Sequence, residues 1–352
     1  MEKENKRNNL FDFATSELSQ DAFICWLINW ANPKFKNDKV ITLHNCGIEL
    51  LNAFLEKSGI DKPKIYSKVV IKKQFKNIDV LVVVNDEYVI IIEDKTNTEN
   101  HSGQLKRYEK DVLKSKDKDL PEKLTKDKLL LIYFKTGNQS NLSDVISKDY
   151  KPFMRGDFLK ILKDHSGKIN NAIFKDYYDY LQNIDYKTKN YEETNIEEWK
   201  WCEWQGFYIE LQDKLDFQKD KKDEIWEGQW KYVANQTGGF IGFGWNWFKI
   251  EGGGIYMQLE QEKFCFKVMA DETILMRSEF RKKWHDKIMQ TCEGKNLNVC
   301  KPKRFGNGKF MTVAVLNGDY RCTKDNKFNI EKTIKQLKEM ENILKETLNK
   351  NS

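Results

Sequence analysis

Acidic side chains lie at the ends of two apolar stretches that a short polar segment joins, in the sequence NIDVLVVVNDEYVIIIEDK. Asp79 begins the first stretch, Glu93 lies near the end of the second, and Lys95 follows two residues later. A carboxylate is costly to bury among apolar strands unless a positive charge compensates for it. A divalent cation is the simplest such charge, and Mg²⁺ binds carboxylate oxygens while keeping several waters. The spacing therefore predicts a metal-dependent active site.

Counting residues tests whether these groups can meet. If residues 85–87 form a three-residue hairpin loop, Asp79 and Glu93 lie opposite each other with Cβ atoms about 4.5–5.5 Å apart. Lys95 then shares their face because strand side chains alternate with a period of two. Asp94 points to the opposite face, where we expect solvent or a salt bridge. A loop of two or four residues would separate the two acids, so the prediction depends on the odd loop.

The flanking sequence predicts the elements that position this hairpin. Apolar spacing favours helices at about 15–31, 45–57 and 102–115, and one or two more between 156 and 185. Strands are expected at about 65–75, 78–84, 88–95 and 128–134. The fold class is therefore α/β (α+β), with a mixed sheet in a core of order α-β-β-β-α-β.

The aspartate followed by a turn and E-x-K resembles the PD-(D/E)XK nuclease superfamily, whose restriction-endonuclease-like core has the same order of elements. Gln104 and Tyr108 resemble the Q-x-x-x-Y motif of its RecB-type members, and they lie one helical turn apart. The opening NLFDFATSELSQDAF resembles a bacterial subfamily in which an early glutamate, here Glu17, assists the metal site. Ile78 stands where the name-giving proline would be. The resemblance covers roughly residues 10–180.

The resemblance implies a magnesium-dependent deoxyribonuclease, with Mn²⁺ as the alternative ion. Asp79 and Glu93 would bind the metal, Glu17 would orient a metal-bound water, and Lys95 would be catalytic. Gln104 and Tyr108 would support the site or contact the substrate. The expected partner is nucleic acid, with DNA favoured over RNA through the resemblance alone.

Other interpretations stay open. The acids could be solvent-exposed strand ends with Lys95 as a cross-strand ion pair, and Glu17 could serve only the helix dipole. Asp21 could join the acidic cluster or lie at the surface, and His101 is expected to cap the helix or lie in a loop. At the level of function, a catalytically silent nuclease-fold module acting through its C-terminal part is the main alternative. An enzyme of different chemistry is a third.

Composition changes after about residue 190, and we place a boundary in the polar segment 186–195, giving domains 1–190 and 191–352. The second part is expected to be an α+β domain with consecutive hairpins in 238–270, a helix at 277–292 and strands near 296–303 and 309–316. A last helix begins near 329. The tryptophans of the second part favour a core over a base-stacking surface. The basic stretches 277–287 and 295–309 of this part suit phosphate contacts or a solvated face. Substrate selection, partner binding or sensing would be its role.

Charge and cysteine content set broad limits. The net charge is only +6, from 60 basic and 54 acidic residues, which barely favours a nucleic-acid partner by itself. Seven scattered cysteines without a C-x-x-C pair indicate reduced thiols. The N-terminus lacks an apolar signal core, and no run reaches the ~18 apolar residues of a membrane span. We expect a cytoplasmic protein without membrane contact, and the sequence leaves its oligomeric state open.

Overall fold

The computed structural model describes residues 8–98, 103–215, 217, 227–235, 238–272, 274–295, 297–324 and 327–349. His101 and Trp226, which the sequence analysis considers, lie outside the described residues. Packing divides the chain into two compact units between Tyr186 and Lys187. The roles assigned to domains 1–190 and 191–352 stay predictions.

The first unit is built on a five-stranded mixed sheet of order β1-β2-β3-β4-β5. The first three strands pair antiparallel, whereas β3-β4 and β4-β5 pair parallel. The strands are β1 (Val69–Phe75), β2 (Ile78–Val84), β3 (Tyr88–Lys95), β4 (Leu129–Lys135) and β5 (Lys151–Met154).

Helices cover both faces of this sheet. They are α1 (Glu17–Asn29), α2 (Ile41–Lys57), α3 (Gln104–Leu113), α4 (Ser143–Ile146), α5 (Arg155–Ser166) and α6 (Ala172–Lys189). One face packs against apolar residues of α1, α2, α5 and α6, and the other packs against α3. The strands carry near-continuous apolar runs because both faces are buried. The mixed α+β fold predicted from the sequence is confirmed.

The β2–β3 hairpin has the register that the counting requires. Val84 opposes Tyr88 and Val80 opposes Ile92, with three residues in the loop. Asn85 and Asp86 have positive φ angles of 56° and 54°, which these two residue types tolerate better than most. The Asn85 side chain accepts from the Ser67 and Lys68 amides, so the loop is also fixed from outside the hairpin.

The second unit contains a six-stranded antiparallel sheet of order β10-β11-β9-β8-β7-β6 and a two-stranded ladder of β12 and β13. The strands are β6 (Gln229–Val233), β7 (Phe240–Ile250), β8 (Gly253–Glu260), β9 (Lys263–Ala270), β10 (Val299–Cys300), β11 (Phe310–Leu316), β12 (Thr323–Lys324) and β13 (Lys327–Phe328). The helices are α7 (Trp201–Lys214), α8 (Arg277–Cys292) and α9 (Ile330–Asn349).

Most described tryptophans of this unit are core residues, as predicted. Trp199, Trp204, Trp230, Trp245 and Trp247 are each at most 8% exposed. Trp247 accounts for the glycine at position 254, because a Cβ on Gly254 would lie 2.2 Å from the Trp247 ring. A large ring therefore packs directly on the backbone of β8, which leaves no room there for a side chain.

The differences from the predicted elements are local. Strand β1 begins at residue 69 rather than 65, the predicted strand 296–303 shortens to two residues, and α2 begins four residues early. Elements α4 and β5 were not predicted, since they have four residues each and are too short to show a period. In the second unit α7, β6, β12 and β13 were not predicted either. No helix in the described part of the chain is long and apolar enough to cross a membrane.

Candidate active site

Asp79 and Glu93 meet at the open end of the β2–β3 hairpin. Asp79 lies one position beyond the last paired residues, Val80 and Ile92. Its Oδ2 accepts a hydrogen bond of 2.9 Å from the backbone amide of Asp94. This contact holds the Asp79 carboxylate against β3 where the regular ladder stops.

Lys95 joins three carboxylates at this end of the sheet. Its Nζ lies 2.6 Å from Glu93 Oε1, 3.7 Å from Asp79 Oδ2 and 3.8 Å from Glu17 Oε2. It also donates to the carbonyl of Asp94 at 2.9 Å. The structure therefore brings together the four residues that the sequence analysis placed at the centre of the site.

Glu17 reaches the cluster from the first turn of α1. Ser16 caps this helix by accepting from the amide of Ser19. Glu17 Oε1 accepts from the Thr96 amide at 3.1 Å and from the Thr98 hydroxyl at 2.5 Å. Glu17 is thus both a first-turn acid and a neighbour of Lys95. A role in the helix dipole and a role beside the acidic cluster are therefore compatible.

Glu93 is the buried member of the cluster. Its side chain is 0% exposed, against 20% for Asp79 and 32% for Glu17. Burial, and then repulsion by Asp79, raise the pKa of Glu93 to about 7 although Lys95 opposes the shift. Glu93 Oε1 pairs with Lys95 Nζ, whereas Oε2 has no hydrogen-bond partner among the described residues.

Lys95 remains an ammonium in this setting. Burial is the largest single influence on its pKa and lowers it, but Glu93, Asp79 and Glu17 together outweigh burial, and the net pKa is raised. The Lys95 side chain is 7% exposed. A buried lysine that carries a permanent charge is well suited to stabilising negative charge and poorly suited to abstracting a proton.

The donor set fits a divalent cation in kind. Three carboxylates supply the oxygen ligands that Mg²⁺ and Mn²⁺ prefer, and waters complete such sites. Within the described ranges, no three acidic, histidine or cysteine side chains are already gathered as metal ligands. Lys95 supplies only one positive charge among the three acids, and a cation would compete with its ammonium for Glu93. Glu93 Oε2, which has no hydrogen-bond partner in the described part of the chain, is the atom that such an ion would satisfy.

Gln104 and Tyr108 lie beside the site on α3. Gln104 Nε2 donates to the Tyr108 hydroxyl, which donates to the carbonyl of Asn77 just before β2. Tyr108 is 1% exposed, and burial is the main cause of its raised pKa. This pair supports the start of the strand that carries Asp79, and a contact of Tyr108 with substrate would require it to leave its buried position.

Asp94 and Asp21 form a second acidic pair on the opposite face of the sheet. The expectation that Asp94 meets solvent or a salt bridge is wrong: it is 0% exposed, and Gln20 Nε2 donates to its Oδ1 at 2.5 Å. A surface role for Asp21 is wrong too, because it is 1% exposed. Burial raises the pKa of Asp21 to about 6, and burial and then Asp21 raise that of Asp94 well above its ordinary value.

Sequence reasoning missed Gln20, which holds this second pair. Its Nε2 donates to Asp94, and its Oε1 accepts from the Thr136 hydroxyl at 2.5 Å and the Tyr177 hydroxyl at 3.0 Å. Gln20 therefore ties α1 to the ends of β3 and β4 and to α6. Its place one turn after Glu17, in a helix with a buried face, was the available signal.

Lys135 is a further residue that the sequence analysis missed. It pairs in register with Lys95 across parallel strands, which puts both side chains on one face of the sheet. Lys135 is 0% exposed, and its Nζ donates to the carbonyl of Thr98 at 2.5 Å. Two buried lysines thus lie side by side at the strand ends, one of them fixing the segment that also contacts Glu17.

The mixed sheet and the acid–acid–lysine hairpin define the class of fold and site found in PD-(D/E)XK nucleases. The family model described as the PD-(D/E)XK nuclease superfamily matches residues 8–200, more than half of the chain. The chain therefore belongs to the PD-(D/E)XK nuclease superfamily, as the sequence resemblance indicated. Nucleases of this superfamily generally use divalent metals. Neither the curated proteins nor the solved structures gave a match.

Proposed function

We propose that this protein is a magnesium-dependent nuclease that hydrolyses DNA phosphodiester bonds through a metal-activated water. The observation that carries the proposal is Glu93, a fully buried carboxylate whose Oε2 accepts no hydrogen bond in the described structure. It lies with Asp79 and Glu17 around one lysine ammonium. Such a group is costly unless a cation uses it.

In this proposal Asp79, Glu93 and Glu17 hold the ion. A bound divalent cation lowers the pKa of a coordinated water and neutralises charge on the phosphate. Mg²⁺ is proposed, and Mn²⁺ offers the same coordination chemistry.

Lys95 then serves as a fixed positive charge. Because the surrounding carboxylates keep it protonated, it can stabilise the charge that develops on the phosphate and orient the attacking water. Glu17 is the most exposed of the three acids and holds the Thr96–Thr98 segment, so it is placed to orient a water at the open side. Gln104 and Tyr108 support the strand that carries Asp79.

The choice of DNA as the substrate comes from the family resemblance alone. The superfamily implies nucleic acid, and the resemblance, which includes the likeness of Gln104 and Tyr108 to the motif of RecB-type nucleases, favours DNA over RNA. No residue of the cluster is arranged to distinguish the two sugars. RNA must therefore be offered as substrate alongside DNA.

One observation favours the catalytically silent alternative. Lys95 already supplies an internal cation, with Nζ 2.6 Å from Glu93, which compensates part of the cost of burying that carboxylate without any bound ion. A module that kept this ion pair for structure alone would bind no metal and cleave nothing. The proposal is therefore tested on metal binding as well as on cleavage.

The experiment compares Asp79→Asn and Lys95→Met with Asp86→Asn, a matched control on the exposed turn of the same hairpin, where Asp86 pairs with Lys68. Cleavage of labelled DNA and RNA is followed with Mg²⁺, with Mn²⁺ and with chelator, and Mn²⁺ binding is measured by electron paramagnetic resonance. We expect wild type and Asp86→Asn to cleave with metal only. We expect the two site variants to lose cleavage, and Asp79→Asn also to bind Mn²⁺ more weakly. Cleavage unaffected by both site changes, or a wild type that binds no metal, would overturn the proposal.

A further inference from the structure

The positive charge of the chain is concentrated in one short stretch of the second unit. Residues 277–309 contain ten lysines and arginines but three acidic residues, a net charge of +7. Because the whole chain carries +6, the other 319 residues together carry −1. The modest overall charge therefore hides a strongly basic segment.

The structure brings the two basic parts of this segment together. Arg281 on α8 donates to the Gly306 carbonyl and, at 2.5 Å, to Asn307 Oδ1 in the connection before β11. Its guanidinium lies 4.3 Å from the centre of the Phe305 ring, and Lys301 Nζ lies 4.7 Å from the same centre. The Phe305 ring thus holds one cation from α8 and one from the connection at a single place.

Most of these cations have no acidic partner. In this stretch the ion pairs are Lys282–Asp286, Lys283–Glu251 and Lys295–Glu346. The remaining cations form no ion pair with any carboxylate in the described part of the chain, and we call them the basic surface: Arg277, Arg281, Lys287, Lys301, Lys303, Arg304 and Lys309.

The basic surface is accessible and is flanked by an aromatic ring. Lys301, Lys303, Arg304 and Lys309 are exposed. Phe310, next in the chain, is 48% exposed. In nucleic-acid-binding proteins, cations of this kind bind the phosphate backbone, and exposed aromatic rings stack on neighbouring bases.

We propose that the basic surface binds the sugar–phosphate backbone of nucleic acid through contacts that do not depend on base sequence. Phosphates fit it because arginine and lysine side chains form charge-assisted hydrogen bonds with phosphate oxygens. Nucleic acid is favoured over other polyanions because the chain belongs to a nuclease superfamily. The proposal does not rest on catalysis, because binding here requires neither metal nor cleavage.

The test removes three exposed members of the surface and compares them with three exposed lysines of α9. The variant is K303A/R304A/K309A, and the charge-matched control is K332A/K335A/K338A, whose lysines are also exposed. Binding of short duplex DNA, duplex RNA and single strands is measured by fluorescence anisotropy in chelator across a salt series. Circular dichroism melting confirms that all three proteins are folded.

We expect the surface variant to bind at least tenfold more weakly at low salt. The slope of log affinity against log salt should fall by about 2–3, because each lost phosphate contact removes about 0.9 from it. The control should stay within about threefold of wild type. The DNA and RNA arms decide which nucleic acid the surface prefers, and loss in either arm supports the proposal.

Three results would overturn it. One is a surface variant that binds every nucleic acid as wild type does, and another is a control that loses as much as the surface variant. The third is binding to phosphatidylserine vesicles that the surface variant loses while its nucleic-acid binding is unchanged. This third result would make the surface a membrane contact. A failed cleavage assay would leave this binding test unaffected, since the binding test is run in chelator.

Discussion

Two neighbouring acids on β3 have different electrostatic surroundings. Glu93 and Asp94 are both 0% exposed, but they lie on opposite faces of the same strand. Glu93 faces a lysine ammonium and two further carboxylates. Asp94 faces a glutamine amide and another buried acid whose pKa is also raised. Burial alone therefore does not distinguish the proposed metal ligand from its neighbour; the charges around each acid do.

The difference separates two uses of a costly group. On the Asp94 side, burial and the neighbouring Asp21 favour a protonated acid, although the Gln20 amide opposes this, and Gln20 holds the surrounding elements together. The Glu93 side keeps a cation in reach and leaves Oε2 without a hydrogen-bond partner among the described residues. The first is a structural junction, and the second is the proposed ion site. The following predictions compare the two faces.

The largest effect should come from isosteric amides at the two neighbouring positions. Glu93→Gln removes a proposed metal ligand, and the cleavage rate should fall on the order of 10²–10³-fold, as when one key electrostatic contact is lost. Asp94→Asn keeps an acceptor for Gln20, and its rate should stay within a few-fold of wild type. Single-turnover cleavage measures both. Equal losses in the two variants would mean that the faces do not differ in role.

Metal affinity should depend on pH through the Glu93 face. The pKa of Glu93 is raised to about 7, so below that pH a cation must displace a proton from the carboxyl group. Mn²⁺ affinity should therefore fall by up to about tenfold for each pH unit below about 7 and level off above it. Titrations between pH 5 and 8 check this expectation. In Asp94→Asn the affinity for Mn²⁺ should show the same dependence on pH. If this variant loses the dependence, the titrating group lies on the Asp94 face and the prediction is contradicted.

Stability should depend on pH through the Asp94 face. Asp21 has a pKa of about 6 in the folded protein, above its ordinary 3.8, so the unfolded state releases its proton first as pH rises. Wild-type stability should fall between about pH 4 and 6 relative to Asp21→Asn, by about 1–3 kcal/mol. Denaturant unfolding at pH 4 and pH 7.5 in chelator measures the difference. A constant difference between the two proteins would show that Asp21 ionises normally.

The smallest effect should come from the Tyr108 hydroxyl. Tyr108→Phe removes the hydrogen bond to the Asn77 carbonyl and should lower the free energy of unfolding by about 0.5–1.5 kcal/mol. The Michaelis constant for DNA should be unchanged because the ring is buried. Tyr178→Phe, which loses a hydrogen bond to Gln182 at an exposed position, is the matched control. A raised Michaelis constant in Tyr108→Phe would indicate substrate contact instead.

The hairpin was predictable because its loop length fixes its register. Three loop residues place Asp79, Glu93 and Lys95 on one face through local geometry alone. Glu17 was found only through the resemblance of its helix, since its contact with Lys95 depends on how α1 packs. Gln104 and Tyr108 fall on one helical turn as their spacing requires.

The Asp94 face could not be predicted, because it is made by elements distant in sequence. Gln20 contacts Thr136 and Tyr177, which lie 116 and 157 residues further on. No period or motif in the sequence encodes such contacts. Lys135 was not predicted for a related reason. Its place beside Lys95 follows from the parallel pairing of β3 and β4, and the sequence does not fix this pairing. In the second unit the hairpins, α8, β11 and α9 were predicted, whereas α7 and β6 were not, and no motif identified the role of this unit.

The contact of Glu17 with Thr96 has a consequence for the order of folding. The hairpin that carries Asp79 and Glu93 closes a loop of three residues, whereas this contact closes one of 79. Loop-closure entropy rises with length, so the hairpin can form early and α1 must dock before the fourth group arrives. A nascent or partly unfolded chain would therefore carry the two strand acids and the lysine while still lacking Glu17. Completion of the site would then report that the whole first unit has folded.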